Sequence, residues 1–144
     1  MGKILFFNED IRYRLRKIRL LRAWLFAVFH REGFEVGAVN FIFCSDRYLY
    51  DLNVKYLAHD TLTDTITFSY YSDNEPVSGD VFISYERVKE NAKALGIAVE
   101  EEVLRLLVHG ALHLCGYNDK SVEEKRIMTK KEDDYMLLYR ELSV

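Results

Sequence analysis

Proline and cysteine are nearly missing from this chain. Its 144 residues hold one Pro, at position 76, and two Cys, at 44 and 115. Two cysteines cannot build a disulfide framework, so the fold must rest on a packed core, and the chain suits a reducing, cytoplasmic setting. No apolar run approaches the roughly 20 residues of a membrane-spanning helix. The opening MGKILFFNED lacks the basic, apolar, small-residue order of a secretory signal. Repeats, low-complexity tracts and interdomain linkers are also missing. These absences exclude an integral membrane protein, a disulfide-stapled secreted domain and a repeat array. They leave one soluble globular domain over 1–144, with 49% apolar and 30% charged residues. A chain of this length buries roughly 70% of its unfolded surface, enough for a substantial core.

The net charge of −3 argues against a general nucleic-acid binder, but the charge is unevenly spread. Residues 1–31 carry Lys3, Arg12, Arg14, Arg16, Lys17, Arg19, Arg22 and Arg31 against Glu9 and Asp10, a net of +6, so the remainder carries −9. A basic N-terminal segment on an acidic body suits a phosphate backbone or an acidic partner, and equally a plain solvated face. Arg12, Arg16 and Arg19 are the candidate RNA contacts, on the basic face of a first helix.

Helix and strand signals alternate along the chain. Ile4–Phe7 reads as a short strand. Asn8 can cap a helix from about Glu9 to Arg31, with an apolar stripe of Ile11, Leu15, Ile18, Leu21, Leu25 and Val28 and with Gly33 beyond its end. Val36–Cys44 reads as a strand, then a helix from Ser45 or Asp46 to Leu57. Thr65–Tyr70 and Val81–Ser84 read as a hairpin across the Pro76 loop. Ser84 can cap a helix ended by Gly96, a further helix spans about Val99–Cys115, and Ser121 with Glu124 forms a capping box for a last helix. The expected class is α+β, a small mixed sheet of about four strands covered by about five helices.

The segment that carries chemistry is EEVLRLLVHGALHLCGYNDKS. From Val103 onward the helix is apolar nearly all round, so it must be buried. His109 and His113 lie one turn apart and therefore project from one face, a spacing that lets two imidazoles reach one metal ion. Gly116 can end the helix in left-handed geometry, and Asp119 can fold back as a third ligand. Three protein ligands would leave a position open, as in catalytic rather than structural zinc sites. The bland alternative is two separately satisfied core histidines. Cys115 points roughly 200° round the helix from His113 and reads, like Cys44, as a small buried hydrophobe. Gly110 stands where an H-E-x-x-H metalloprotease carries its general base, so any carboxylate base must come from elsewhere.

At these residues the sequence resembles the YbeY family of rRNA-maturation endoribonucleases. The family signature H-G-x-L-H-L-x-G-Y-D-H stands here as HGALHLCGYND over 109–119, departing only at Asn118 and Asp119. A second block, L-N-x-x-Y-R-x-x-D-x-P-T-D-V-L-S-F, stands as LNVKYLAHDTLTDTITF over 52–68, and a third, of the G-D-I-x-I-S type, as GDVFIS over 79–84. The resemblance implies an α+β fold with a small mixed sheet. It implies one divalent metal, usually Zn2+, and endonucleolytic hydrolysis of RNA in 16S rRNA 3′-end processing and ribosome quality control. RNA and the small ribosomal subunit are the implied partners, with no membrane.

Two departures bear on chemistry. Asp119 replaces the third signature histidine. A carboxylate is a sound zinc ligand at about 2.0–2.2 Å. Its charge makes the ion a weaker Lewis acid and inclines the site toward Mn2+ or Fe2+. Leu57 replaces the family's active-site Arg, which could hold a phosphate. Lys55 and His59 are the nearest substitutes in sequence. The alternative to a nuclease is a ribosome-assembly or RNA-binding factor with a structural metal. Two His and one Asp also form the ligand set of non-haem iron oxygenases, but the order and spacing do not suggest one.

Overall fold

The structure is a computed structural model that describes residues 2–57 and 63–144. Nine elements follow one another: β1 (Lys3–Asn8), α1 (Ile18–Arg31), β2 (Val36–Cys44), α2 (Asp46–Leu57), β3 (Thr65–Ser69), β4 (Val77–Ser84), α3 (Tyr85–Leu95), α4 (Val99–Leu114) and α5 (Val122–Leu142). The strands form one sheet in the order β1-β2-β4-β3. β1, β2 and β4 run parallel, and β3 pairs antiparallel with β4 across the Pro76 turn. The mixed sheet and the α+β class are those the sequence implies. Among the described residues, no helix is long and apolar enough to cross a membrane.

Strand alternation sorts side chains onto two faces. Val39, Phe41 and Phe43 of β2 and Val81 and Ile83 of β4 are fully buried on the inner face. There they meet Leu21, Trp24, Leu25, Val28 and Phe29 of α1 and Val103, Leu106, Leu107 and Ala111 of α4. The outer face holds a smaller cluster of Cys44, Ile66 and Leu49, the last from α2. Among the helix ends, Ser84 accepts a hydrogen bond from the Arg87 amide, and the Ser121–Glu124 capping box is formed in full.

The first helix is shorter than its sequence suggests. It begins at Ile18, not near Glu9, and Asn8 ends β1 and donates from its side chain to the Tyr13 carbonyl. Residues 9–17 form a strap without regular secondary structure. The physical reason lies in IRYRLR, which fits a period of two as well as a helical one, and packing of its apolar residues on the core decides for the former. Ile11, Tyr13 and Leu15 turn inward onto the core while Arg12, Arg14 and Arg16 stay exposed. Lys17 closes the strap in a left-handed conformation, φ 56°, and α1 starts there. Arg12 and Arg16 therefore do not lie on a helix. Arg19 does, in the first turn of α1, and is exposed.

Candidate metal centre

α4 sits directly on β4 because of one residue. A Cβ built on Gly110 would lie 2.4 Å from Val81 Cγ1, closer than any real contact. The glycine thus lets helix and strand approach, and it aims position 110 into the sheet. That geometry explains why this position cannot carry a general base: a side chain there would point into the core. Positions 109 and 113 lie about 100° and 60° round the helix from position 110, to one side of the contact with β4.

His109 and His113 are partly buried, with side chains 15% and 22% exposed, while every neighbour from Leu106 to Leu114 between them is buried. Gly116 adopts φ 102° and the amide of Tyr117 returns to the Leu112 carbonyl, which ends α4 and reverses the chain. The reversal brings Asp119 Oδ2 to 3.3 Å from His109 Nε2 and 3.4 Å from His113 Nε2. The two Nε2 atoms are 3.0 Å apart. Among the described residues, these three form the cluster able to hold a metal ion.

The outward nitrogens decide the role of the inward ones. His109 Nδ1 lies 2.6 Å from Glu132 Oε2, and His113 Nδ1 lies 2.8 Å from the Tyr117 carbonyl. Both partners are pure acceptors, so both rings carry their proton on Nδ1. The Nε2 atoms then face each other and the Asp119 carboxylate, an arrangement that suits a cation between them. Tetrahedral ligands at zinc distances stand about 3.3 Å apart and octahedral ones about 2.9 Å. The three observed separations fit this range. Asp119 is 39% exposed, so the cluster opens to solvent on its side.

The acceptor for His109 lies outside the signature, and the one for His113 is a backbone carbonyl within it that no side-chain pattern shows. Glu132 stands on α5, 6% exposed, and its other oxygen takes a hydrogen bond from Arg105 Nη1 at 3.2 Å. A signal for it exists in the sequence: Met128, Glu132, Tyr135 and Met136 recur at helical spacing, and an acid on an otherwise buried stripe needs a partner. Burial alone would depress the pKa of His109, but the hydrogen bond and charge of Glu132 outweigh it and raise the pKa above the ordinary value. His113 is pushed the other way, by burial and by the neighbouring His109. The pair therefore takes up its first proton readily and resists a second.

Among the described residues, the others singled out by sequence make no contact with His109, His113 or Asp119. Lys55 is exposed, with its ammonium over the Tyr56 ring at 5.1 Å, and Tyr56 packs edge-on against Phe68 on the outer face of the sheet. Lys55 thus contacts Tyr56 and not His109, His113 or Asp119. Leu57 ends α2, 41% exposed. His59 lies outside the described residues. Arg12 and Arg16 are on the strap and Arg19 on α1. The strap shares a cleft with Glu100, Val103 and Leu104 of α4. His109 is five residues beyond Leu104, about 7–8 Å further along the helix.

A family model described as Endoribonuclease YbeY matches residues 7–140. A protein of Amoebophilus asiaticus named Endoribonuclease YbeY is 44% identical over 139 residues, 96% of this chain and 95% of the relative. One of the same name from Flavobacterium johnsoniae is 46% identical over 133 residues, 92% of this chain and 95% of the relative. The solution structure of TM1509 from Thermotoga maritima superposes with a TM-score of 0.62 at 25% identity, covering 96% of this chain and 93% of that one.

Proposed function

The chain belongs to the YbeY endoribonuclease family, and from that premise we propose that it is a metal-dependent endoribonuclease acting in rRNA maturation, at 16S rRNA 3′-end processing and ribosome quality control, in the cytoplasm. The observation that carries the chemistry is the convergence of His109 Nε2, His113 Nε2 and Asp119 Oδ2, with both Nδ1 atoms held by acceptors. These residues would hold one divalent ion, zinc first and manganese or iron next. A divalent ion bound there supplies Lewis-acid polarisation of a phosphoryl oxygen and makes water a usable nucleophile near neutral pH.

The chain's own groups do the rest. Glu132 fixes the His109 ring and, bonded in turn to Arg105, keeps it from swinging. The Tyr117 carbonyl does the same for His113. The buried apolar residues of α4 back the two histidines, and the more exposed Asp119 leaves its side open to a phosphodiester. That opening favours a catalytic site over a closed structural one. The basic strap, with Arg12, Arg16 and the nearby Arg19, contacts RNA phosphates of the small ribosomal subunit.

The test compares the wild-type chain with His113→Ala. Purified without chelators, the wild type carries about one equivalent of zinc, manganese or iron by plasma mass spectrometry and cleaves rRNA. His113→Ala stays folded and loses both metal and cleavage. A variant that unfolds on losing the metal points instead to a structural ion in an assembly factor. A wild type that takes up no metal sinks the reading.

A further inference from the structure

The turn that delivers the third ligand is short, and something must hold it in place. Tyr117 is its centre. Its carbonyl faces His113 Nδ1 at 2.8 Å, and Asp119 follows two residues later. The far end of the same residue is also tied: its hydroxyl donates to Glu32 Oε1 at 2.6 Å, and its ring lies under the Lys131 ammonium at 5.6 Å. The other Glu32 oxygen accepts from Lys131 Nζ at 3.0 Å and from the Tyr135 hydroxyl. One carboxylate thus joins the end of α1, the turn after α4 and the middle of α5.

The place of Glu32 at the end of α1 does not explain a carboxylate here. Glu32 is the C-cap of α1, where the helix dipole is negative and an acid is disfavoured. Its side chain is 8% exposed. Burial works to raise its pKa, yet the hydrogen bonds from Tyr117, Tyr135 and Lys131 together hold it below the ordinary carboxylate value. It is therefore a charged anchor that its three donors keep ionised.

We propose that Glu32 is a positioning residue for the metal centre: acting through Tyr117, it fixes the turn that aims His113 and presents Asp119. Neither Glu32 nor the Tyr117 hydroxyl touches a ligand nitrogen or the open side of the site. The inference rests on the metal reading given above, so its test includes one readout that needs no metal.

Two variants probe the path in the full-length chain. Glu32→Gln keeps size and an acceptor oxygen but removes the charge, and Tyr117→Phe removes only the hydroxyl and leaves the carbonyl. Each should weaken zinc binding, read by chelator competition, by about tenfold, the lower end for groups that orient a metal ligand. The double variant should be no weaker than the worse single one, because both cut one path. In the metal-free chain, imidazole nitrogen NMR should show His113 protonated at Nδ1 in the wild type and a mixture of tautomers in both variants. Ile4→Val, a core change remote from the site, supplies the control: it lowers Tm by a comparable amount and leaves zinc affinity alone. Wild-type affinity and tautomer in both variants overturn the proposal, as does an affinity loss that Ile4→Val reproduces. A wild type that takes no zinc, with the tautomer still shifting in both variants, removes the metal reading and retains Glu32 as the anchor of His113.

Discussion

His109 and His113 repeat every four residues on α4, whereas Arg12, Arg14 and Arg16 repeat every two along the strap before α1. The histidines are partly buried, and each has a named acceptor on its outward nitrogen. The arginines are exposed, and the strap is held by the side chains between them, Ile11, Tyr13 and Leu15. The contrast matches what each region must do. Metal ligation tolerates errors of only a few tenths of an ångström and needs rings locked by a surrounding shell. Attraction of a phosphate backbone needs charge at a suitable distance and little else. Breaking the two regions should therefore give different signatures.

The largest effect is expected where the shell is cut. Glu132→Gln keeps the shape of the side chain but gives Arg105 and His109 a neutral partner. Metal affinity should fall by about 10- to 100-fold, as for other carboxylates behind a ligating histidine. Chelator competition checks it, and unchanged affinity would show that His109 needs no charged anchor. Next comes Gly110→Ala, which sets a methyl group against Val81. Overpacking of this kind costs about 1–3 kcal/mol. The Tm should fall by several degrees, and metal affinity should fall with it because α4 must shift off β4. A Tm loss with intact metal binding would mean that the helix slides without moving its histidines.

Acid provides a milder cut. His109 in the metal-free protein has a raised pKa, so its proton is held to higher pH than an ordinary imidazole's. That proton occupies the place a metal must take. Affinity should be constant at alkaline pH and decline as pH falls through the raised value, and uptake below that value should release a proton. Calorimetry in buffers of different ionisation enthalpy measures the proton directly. Uptake with no proton released would mean that His109 is neutral at that pH.

How much of this was legible in sequence follows from the same contrast. The histidine pair, the turn at Gly116 and the returning Asp119 could be read because helix period and left-handed glycine are local properties. The capping box at Ser121 and the caps at Ser84 and Gly96 were readable for the same reason. Glu132 and Glu32 were not, since they come from α5 and α1 and meet α4 only through tertiary packing. The start of α1 was misread for another reason. Ile11, Leu15 and Ile18 satisfy a helical spacing, but Ile11, Tyr13 and Leu15 satisfy a strand spacing equally well. The short sequence IRYRLR supports both, and contact with the core decided between them.

That ambiguity gives the last and smallest prediction, and it concerns which arginine matters. On a helix, Arg14 would lie about 200° from Arg12 and Arg16 would lie close to Arg12, so a phosphate chain following one face would ignore Arg14. On the strap, Arg12, Arg14 and Arg16 alternate with the partly buried Ile11, Tyr13 and Leu15, and all three are exposed. Single Arg→Gln changes at 12, 14 and 16 should therefore weaken binding of single-stranded RNA to a similar, modest degree. The triple change should flatten the dependence of log affinity on log salt by about 2, since each lost single-strand phosphate contact removes about 0.7. Folding should be untouched to within about 0.5 kcal/mol, as for other surface substitutions, and metal content should not change. An Arg14→Gln variant that binds like wild type while the other two weaken would favour a helical track. A triple variant with the wild-type salt slope would remove the strap from RNA binding altogether and leave its arginines as a solvated face.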